Sequence, residues 1–227
     1  MASLHEIVDR SKVGHIRHSD MNAILPEYIE KIGGSSGLLY IGANSGQEIE
    51  FCKNYTKKIY AFEPIPFDSV WGQLIKHQCE KVFCYNCALS DEEGEFEIYP
   101  SSNNFESSSL LKPKVHLSEF NWVHFADPIK VKSRRLDSFK FAEECDVIIM
   151  DVQGAELKVL NGISNFDNFK LIILEYNVEN TYDGACTFDE LENKLTAEGF
   201  EYYESYGVYN NPNTEFYAGN AVFVRKQ

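Results

Sequence analysis

Short apolar runs recur along this 227-residue chain, and most of them close on a glycine or an acidic side chain. Leu38–Ile41 runs into Gly42, Lys58–Phe62 into Glu63, Cys145–Met150 into Asp151 and Leu171–Leu174 into Glu175, while Val82–Ala88 makes a fifth. Apolar runs this short, without alternation, suit strands buried on both faces of a parallel sheet. Helical spacing separates them. It runs over Gln47–Tyr55, over Phe67–Cys79 with Val70, Trp71, Leu74 and Ile75 inward, and over Ala155–Asn161. Phe188–Ala197 adds a helix that Thr187 caps, with Glu190 at the capping-box position. A lead-in helix, Met21–Ile32, is capped by Ser19 or Asp20 and broken by Gly33 and Gly34. Two strands close the chain, Glu201–Ser205 and Ala221–Arg225, around the turn residues Asn210-Asn211-Pro212-Asn213. The pattern predicts an α/β fold: a mostly parallel sheet with helices on both faces and an antiparallel hairpin at its end. Residues 1–36 form the lead-in and 37–227 one domain. Residues 91–134 interrupt the alternation, with Glu95–Tyr99 and Ile129–Lys132 reading as edge strands.

Charge and cysteine content exclude several classes of function. The formal charge is −14, which repels phosphate backbones and argues against nucleic-acid binding. Residues 105–140 run against that trend through Lys112, Lys114, Lys130, Lys132, Arg134, Arg135 and Lys140. They make either a solvated face or a patch that greets an anionic acceptor. No apolar run is long enough to span a membrane, and the first residues lack a signal-peptide core, so a cytoplasmic address is expected. Cys84 and Cys87 have C-x-x-C spacing, but on a strand they point to opposite faces. No metal site is expected, and the six cysteines read as free thiols.

Ligands of open α/β sheets lie beyond the carboxyl ends of the strands, so the residues found there are the candidates. Gly42-Ala43-Asn44-Ser45-Gly46 follows the first run. Its G-x-x-x-G spacing is not that of a dinucleotide fingerprint, and it has no P-loop lysine. Glu63 lies 21 positions beyond Gly42, the separation at which an acid accepts bonds from ribose hydroxyls. A small residue in Asn86-Cys87-Ala88 would let an adenine ring lie flat. Asp151-Val152-Gln153-Gly154-Ala155-Glu156 puts one carboxylate at a strand end. Glu156 falls near a helix start, where it either steadies that helix or faces the cleft.

These residues resemble the FkbM-type S-adenosylmethionine-dependent methyltransferases. The likeness runs in order from the Gly42–Gly46 loop through Phe62-Glu63-Pro64, Asn86–Asp91 with Gly94, and Ser108-Ser109-Leu110. It continues through Leu136-Asp137-Ser138-Phe139, Asp151–Glu156 with Leu160, Glu175 and Gly199-Phe200. It implies a class I methyltransferase (Rossmann-like) sheet of seven strands, the last antiparallel. It also implies S-adenosylmethionine as cofactor, S-adenosylhomocysteine as product, and methylation of a hydroxyl on a sugar or natural-product acceptor. Tyr40, Gly42, Ala43, Asn44 and Gly46 would surround the methionine part, with Asp151 near it. Glu63 and Pro64 would meet the ribose, and Cys87 and Ala88 the adenine. Tyr40 departs from the family, which usually has there an acid that helps hold the cofactor's amino group.

An alcohol must lose a proton when it accepts a methyl group. Asp151 is the leading candidate for base or orienting carboxylate, with Glu156 and Glu175 as competitors and His124 as the preferred histidine over His116. Acceptor contacts are expected from Ser108, Ser109, Gln153 and Tyr206, with the 91–134 insertion and the turn at 206–219 setting specificity. The partner is a small-molecule or glycan acceptor, an anionic one included, and the protein a monomer or homodimer. Two alternatives remain: a methyltransferase-like module that binds cofactor without turnover, and a nucleotide-dependent enzyme on a related sheet.

Overall fold

The computed structural model describes residues 16–17, 21–177, 181–210 and 216–226. Strand β1 (Ile16–Arg17) is followed by helix α1 (Met21–Lys31) and strand β2 (Leu38–Ile41). Then come α2 (Ile49–Cys52), β3 (Ile59–Phe62), α3 (Trp71–Leu74) and β4 (Val82–Tyr85). The interrupting segment carries β5 (Ala88–Leu89), β6 (Gly94–Ile98), α4 (His116–Glu119) and β7 (Ile129–Arg134). Alternation resumes with β8 (Val147–Met150), α5 (Glu156–Asn161), β9 (Leu171–Asn177) and α6 (Phe188–Ala197), and the hairpin β10 (Phe200–Asn210) and β11 (Tyr217–Arg225) ends it.

The main sheet runs β1-β10-β11-β9-β8-β2-β3-β4. Setting aside the short β1 at its edge, this is the expected seven-stranded sheet. Only β11 is antiparallel, pairing in that sense with both β10 and β9. The central strands are buried at every position, which is why their sequences do not alternate. One face packs Ile24, Leu25 and Tyr28 of α1, Ile49 of α2 and Leu74 of α3 against the sheet. The other face packs Val159 and Leu160 of α5 with Leu191 and Leu195 of α6. The capping box of α6 forms as expected: Thr187 Oγ1 accepts from Glu190 N–H, and Thr187 N–H donates to Glu190 Oε2 at 2.8 Å.

The structure corrects several boundaries. The helices expected over Gln47–Tyr55 and Phe67–Cys79 shrink to α2 and to α3 with one 3₁₀ turn (Ile75–His77). Neither α2 nor α3 has a side-chain cap, and Gly72 lies inside α3. Ile75 is therefore not inward but 43% exposed. The run Val82–Ala88 splits after Tyr85, and β5 leaves the main sheet to pair with β7. The two alternating segments of the insertion, β6 and β7, are likewise not edges of the main sheet. They pair with each other, and with β5 they form a separate three-stranded sheet. Expected caps at Ser19 or Asp20 and the turn at 211–213 lie outside the described residues.

Candidate active site

Register places the site. Ile41 pairs with Phe62 and with Met150, and Met150 pairs with Leu174. The residues one step further, Gly42, Glu63, Asp151 and Glu175, therefore stand in one row at the carboxyl edge of the sheet. They line the floor of a cavity of about 420 Å³. Its roof comes from residues 98–125, closed on itself by two bridges and tied to the rest of the fold by a third. Tyr99 bridges Ser109, Ser101 bridges Phe125, and Pro113 bridges Tyr182 in the loop after β9. Asn44 Nδ2 donates to Asn104 O at 3.0 Å, so roof and floor also meet at the glycine loop. Asn104 and Phe105 both have positive φ (55° and 65°), strain concentrated where the roof turns over the cavity.

The glycine loop has little freedom. A Cβ on Gly42 would lie 1.8 Å from the Asp151 carbonyl oxygen, and its φ is +79°. Only glycine lets β2 end this close to the strand beside it. Asn44 N–H donates to Glu63 Oε2 at 2.9 Å, and Ile65 N–H donates to Glu63 Oε1 at 2.7 Å. Glu63 is thereby fixed at the floor, and burial pushes its carboxyl up to about 7. Tyr40, at the base of the same loop, donates its hydroxyl to Glu48 Oε2 at 2.5 Å, and both line the cavity. Burial and the Glu48 charge hold the Tyr40 phenol well above its ordinary range.

A second group gathers around Gln153, whose φ is +54°. Its Nε2 donates to Asp151 Oδ1 and to Glu175 Oε2, each at 2.7 Å. Its Oε1 faces the Tyr182 hydroxyl at 3.0 Å, which also donates to Ser107 O at 2.7 Å. Ser109 Oγ donates to the Gln153 carbonyl at 2.8 Å. Asp151 opens to the cleft yet is ringed by protein, and this desolvation raises its carboxyl. Glu175 is raised further, by burial and by the charges of Asp151 and Glu156.

Of the expected site residues, Tyr40, Gly42, Ala43, Asn44, Glu63, Pro64, Cys87, Ala88, Ser108, Asp151, Gln153 and Glu175 line one cavity. Others stand elsewhere. Glu156 lies beneath the loop, its Oε1 accepting from Val152 N–H at 3.1 Å and Gly154 N–H at 3.2 Å. That is the helix-start alternative, and it shapes the loop rather than facing the cleft. Ser109 is buried behind Gln153. Gly46 turns away, against Leu74 and Ile49. Tyr206 lines a neighbouring hollow with Met21. His124 is exposed outside the cavity, and the histidine that lines it is His116. Glu48 and Tyr182 escaped sequence reasoning. Glu48 sits in a polar stretch without periodicity, and Tyr182 in a loop that only the tertiary fold brings back.

The acidic residues of the lining are Glu48, Glu63, Glu106, Asp151 and Glu175, and no lysine or arginine joins them among the described residues. None of the lysine or arginine side chains of residues 105–140 is in the lining. Lys130 and Lys132 are exposed on β7 opposite Glu97 and Glu95 of β6, and Arg135 pairs with Asp137 at 2.9 Å. Asp151, Glu156 and Glu175 offer carboxylate oxygens within 4.8 Å of one another. The Gln153 amide bridges two of them. All six cysteines are free. No helix among the described residues is long and apolar enough to cross a membrane.

A seven-stranded sheet with one antiparallel strand, a glycine loop after its first strand and an acid after its second define the class I methyltransferase fold. The model of the "Methyltransferase FkbM domain" family matches residues 41–202, and the chain belongs to that family. A curated relative, the 2-O-methyltransferase NoeI of Sinorhizobium fredii (strain NBRC 101917 / NGR234), is 32% identical over 159 residues. That match covers 65% of this chain and 65% of the relative. Among solved structures, the N-methyltransferase NodS of Bradyrhizobium japonicum WM9 is similar with a TM-score of 0.50 at 12% identity. The likeness covers 91% of this chain and 94% of NodS, and it concerns the fold.

Proposed function

We propose that this protein is an S-adenosylmethionine-dependent O-methyltransferase acting on a hydroxyl of an uncharged small-molecule or sugar acceptor. The observation that carries the reading is the row of Gly42, Glu63, Asp151 and Glu175 along a cavity rich in carboxylates and without a basic side chain. Such a lining suits a ligand that brings positive charge, and the cofactor carries both a sulfonium and an ammonium. The cofactor supplies a methyl group on an excellent leaving group, so alignment and desolvation are what the protein must add. Gly42, Ala43 and Asn44 would face its methionine part, Glu63 and Pro64 its ribose, and Cys87 and Ala88 its adenine.

Glu48 would supply the carboxylate that position 40 lacks. The Tyr40 hydroxyl holds it at 2.5 Å, so a phenol and a neighbouring acid together replace the usual acid. Asp151 and Glu175, bridged by Gln153, would orient the acceptor hydroxyl and take its proton. The relative's 2-O-methyltransferase name supports an oxygen acceptor. The absence of lysine and arginine from the described lining favours an uncharged acceptor over an anionic one. Residues 37–227 would act as one domain, with the 91–134 insertion roofing the acceptor side.

Calorimetric titration with S-adenosylmethionine tests the reading. Binding to the intact protein that weakens strongly in Glu63→Ala is the expected result. No binding to the intact protein would overturn it.

A further inference from the structure

We propose that His116 is the acceptor-recognition residue in the roof of the cavity, a neutral imidazole that presents Nε2–H to an oxygen of the methyl acceptor. The inference rests on the methyltransferase reading above. His116 is 3% exposed and lines the cavity. Its ring is held by Phe120 (centroids 4.9 Å), Phe125 (5.2 Å, edge-on) and Tyr182 (5.5 Å). The backbone is fixed as well, since His116 N–H donates to Thr181 O at 3.1 Å. Within this cage Nδ1 is sealed and has no hydrogen-bond partner, alone among buried side-chain nitrogens and oxygens of the described residues.

That orphan nitrogen decides the tautomer. A proton on Nδ1 would bury an N–H with no acceptor, whereas a bare lone pair is the lesser penalty. Charging the ring would bury that same N–H together with a cation, and burial holds the imidazole below its ordinary pKa. The hydrogen therefore belongs on Nε2, the nitrogen left to serve the cavity that the ring lines. A donor in the roof then shares the cavity with the carboxylates Asp151 and Glu175 of the floor. Tyr182 joins the two sides, packing on His116 and meeting Gln153 Oε1 at 3.0 Å. One hydroxyl can accept from Nε2–H while its neighbour donates to a carboxylate, so the arrangement fits an uncharged polyol such as a sugar ring.

The test uses the full-length protein labelled with ¹⁵N-histidine at pH 7, with the His116 signals assigned by their loss in His116→Gln. The expected spectrum shows the proton on Nε2. With S-adenosylhomocysteine saturating, addition of methyl hexopyranosides should shift that Nε2–H resonance. By calorimetry, affinity for the responding glycoside should fall about tenfold in His116→Phe and recover in part in His116→Gln, which restores a donor. Affinity for S-adenosylhomocysteine should stay within about twofold in both variants, showing that the fold is intact. A proton on Nδ1, a resonance that no glycoside moves, or equal glycoside binding by His116→Phe would overturn the inference. Failure of S-adenosylhomocysteine to bind the intact protein would remove the methyltransferase reading instead.

Discussion

The Tyr40 hydroxyl donates to Glu48 Oε2 across 2.5 Å at the base of the glycine loop. Position 40 sits on a strand buried throughout, where a bare carboxylate would need a partner. A phenol tolerates that burial and hands its polarity to Glu48, which is only partly covered. If this pair holds the cofactor's ammonium, Glu48→Gln should weaken S-adenosylmethionine about tenfold or more by calorimetry. The same change should leave 5′-methylthioadenosine, which lacks the amino-acid part, nearly unaffected. Tyr40→Phe should fall between the two, because Glu48 keeps its charge and loses its anchor.

Stability without ligand should decline as pH rises. Glu63 and Glu156 are both pushed up to about 7 from an ordinary value of 4.5. An acid whose folded pKa is raised favours the folded state while protonated, so its contribution is complete below about pH 4.5. It is lost as pH climbs through 7. Each group accounts for a few kcal/mol at most over that interval. Urea unfolding at pH 5, 6, 7 and 8 should show falling stability, and Glu63→Gln should flatten part of the slope. A flat profile in the ligand-free protein would contradict the burial of these carboxyls.

Gly42→Ala should be severe. The new methyl would meet the Asp151 carbonyl at 1.8 Å, on a backbone with φ +79°. Strain alone costs about 1–2 kcal/mol, and the overlap adds to it. Urea denaturation should report a loss of at least about 2 kcal/mol, together with loss of cofactor binding.

Gln153→Leu should uncouple the floor. It removes the one amide that donates to both Asp151 and Glu175, and it deprives the Tyr182 hydroxyl of Gln153 Oε1. The expected cost is about 1–3 kcal/mol at neutral pH. The penalty should shrink as pH falls, because burial favours the protonated form of both carboxyls. Equal penalties at pH 5 and pH 8 would count against the bridge.

Thr187→Ala tests a purely structural expectation. It removes half of the capping box of α6, outside the cavity lining. A loss of about 1 kcal/mol, read as a fall in Tm of about 2–4 °C, should leave cofactor affinity unchanged.

The central strands, the antiparallel end of the sheet and the cap at Thr187 were legible in the sequence because each rests on local chemistry. Buried strands carry unbroken apolar runs, and a cap is written within four residues. The same runs located Glu63, Asp151 and Glu175, since the residue after a buried strand is delivered to one edge by register. Helix lengths were overread at α2 and α3, where helical spacing continues but capping does not. Only the tertiary structure paired Tyr40 with Glu48, drew Tyr182 onto Gln153 across 29 positions and chose His116 over His124 for the cavity wall. It also set Lys130 and Lys132 on a small sheet opposite Glu97 and Glu95. Those choices depend on contacts between residues distant in sequence. No local pattern of hydrophobicity or charge encodes where a roof will fold down on a floor.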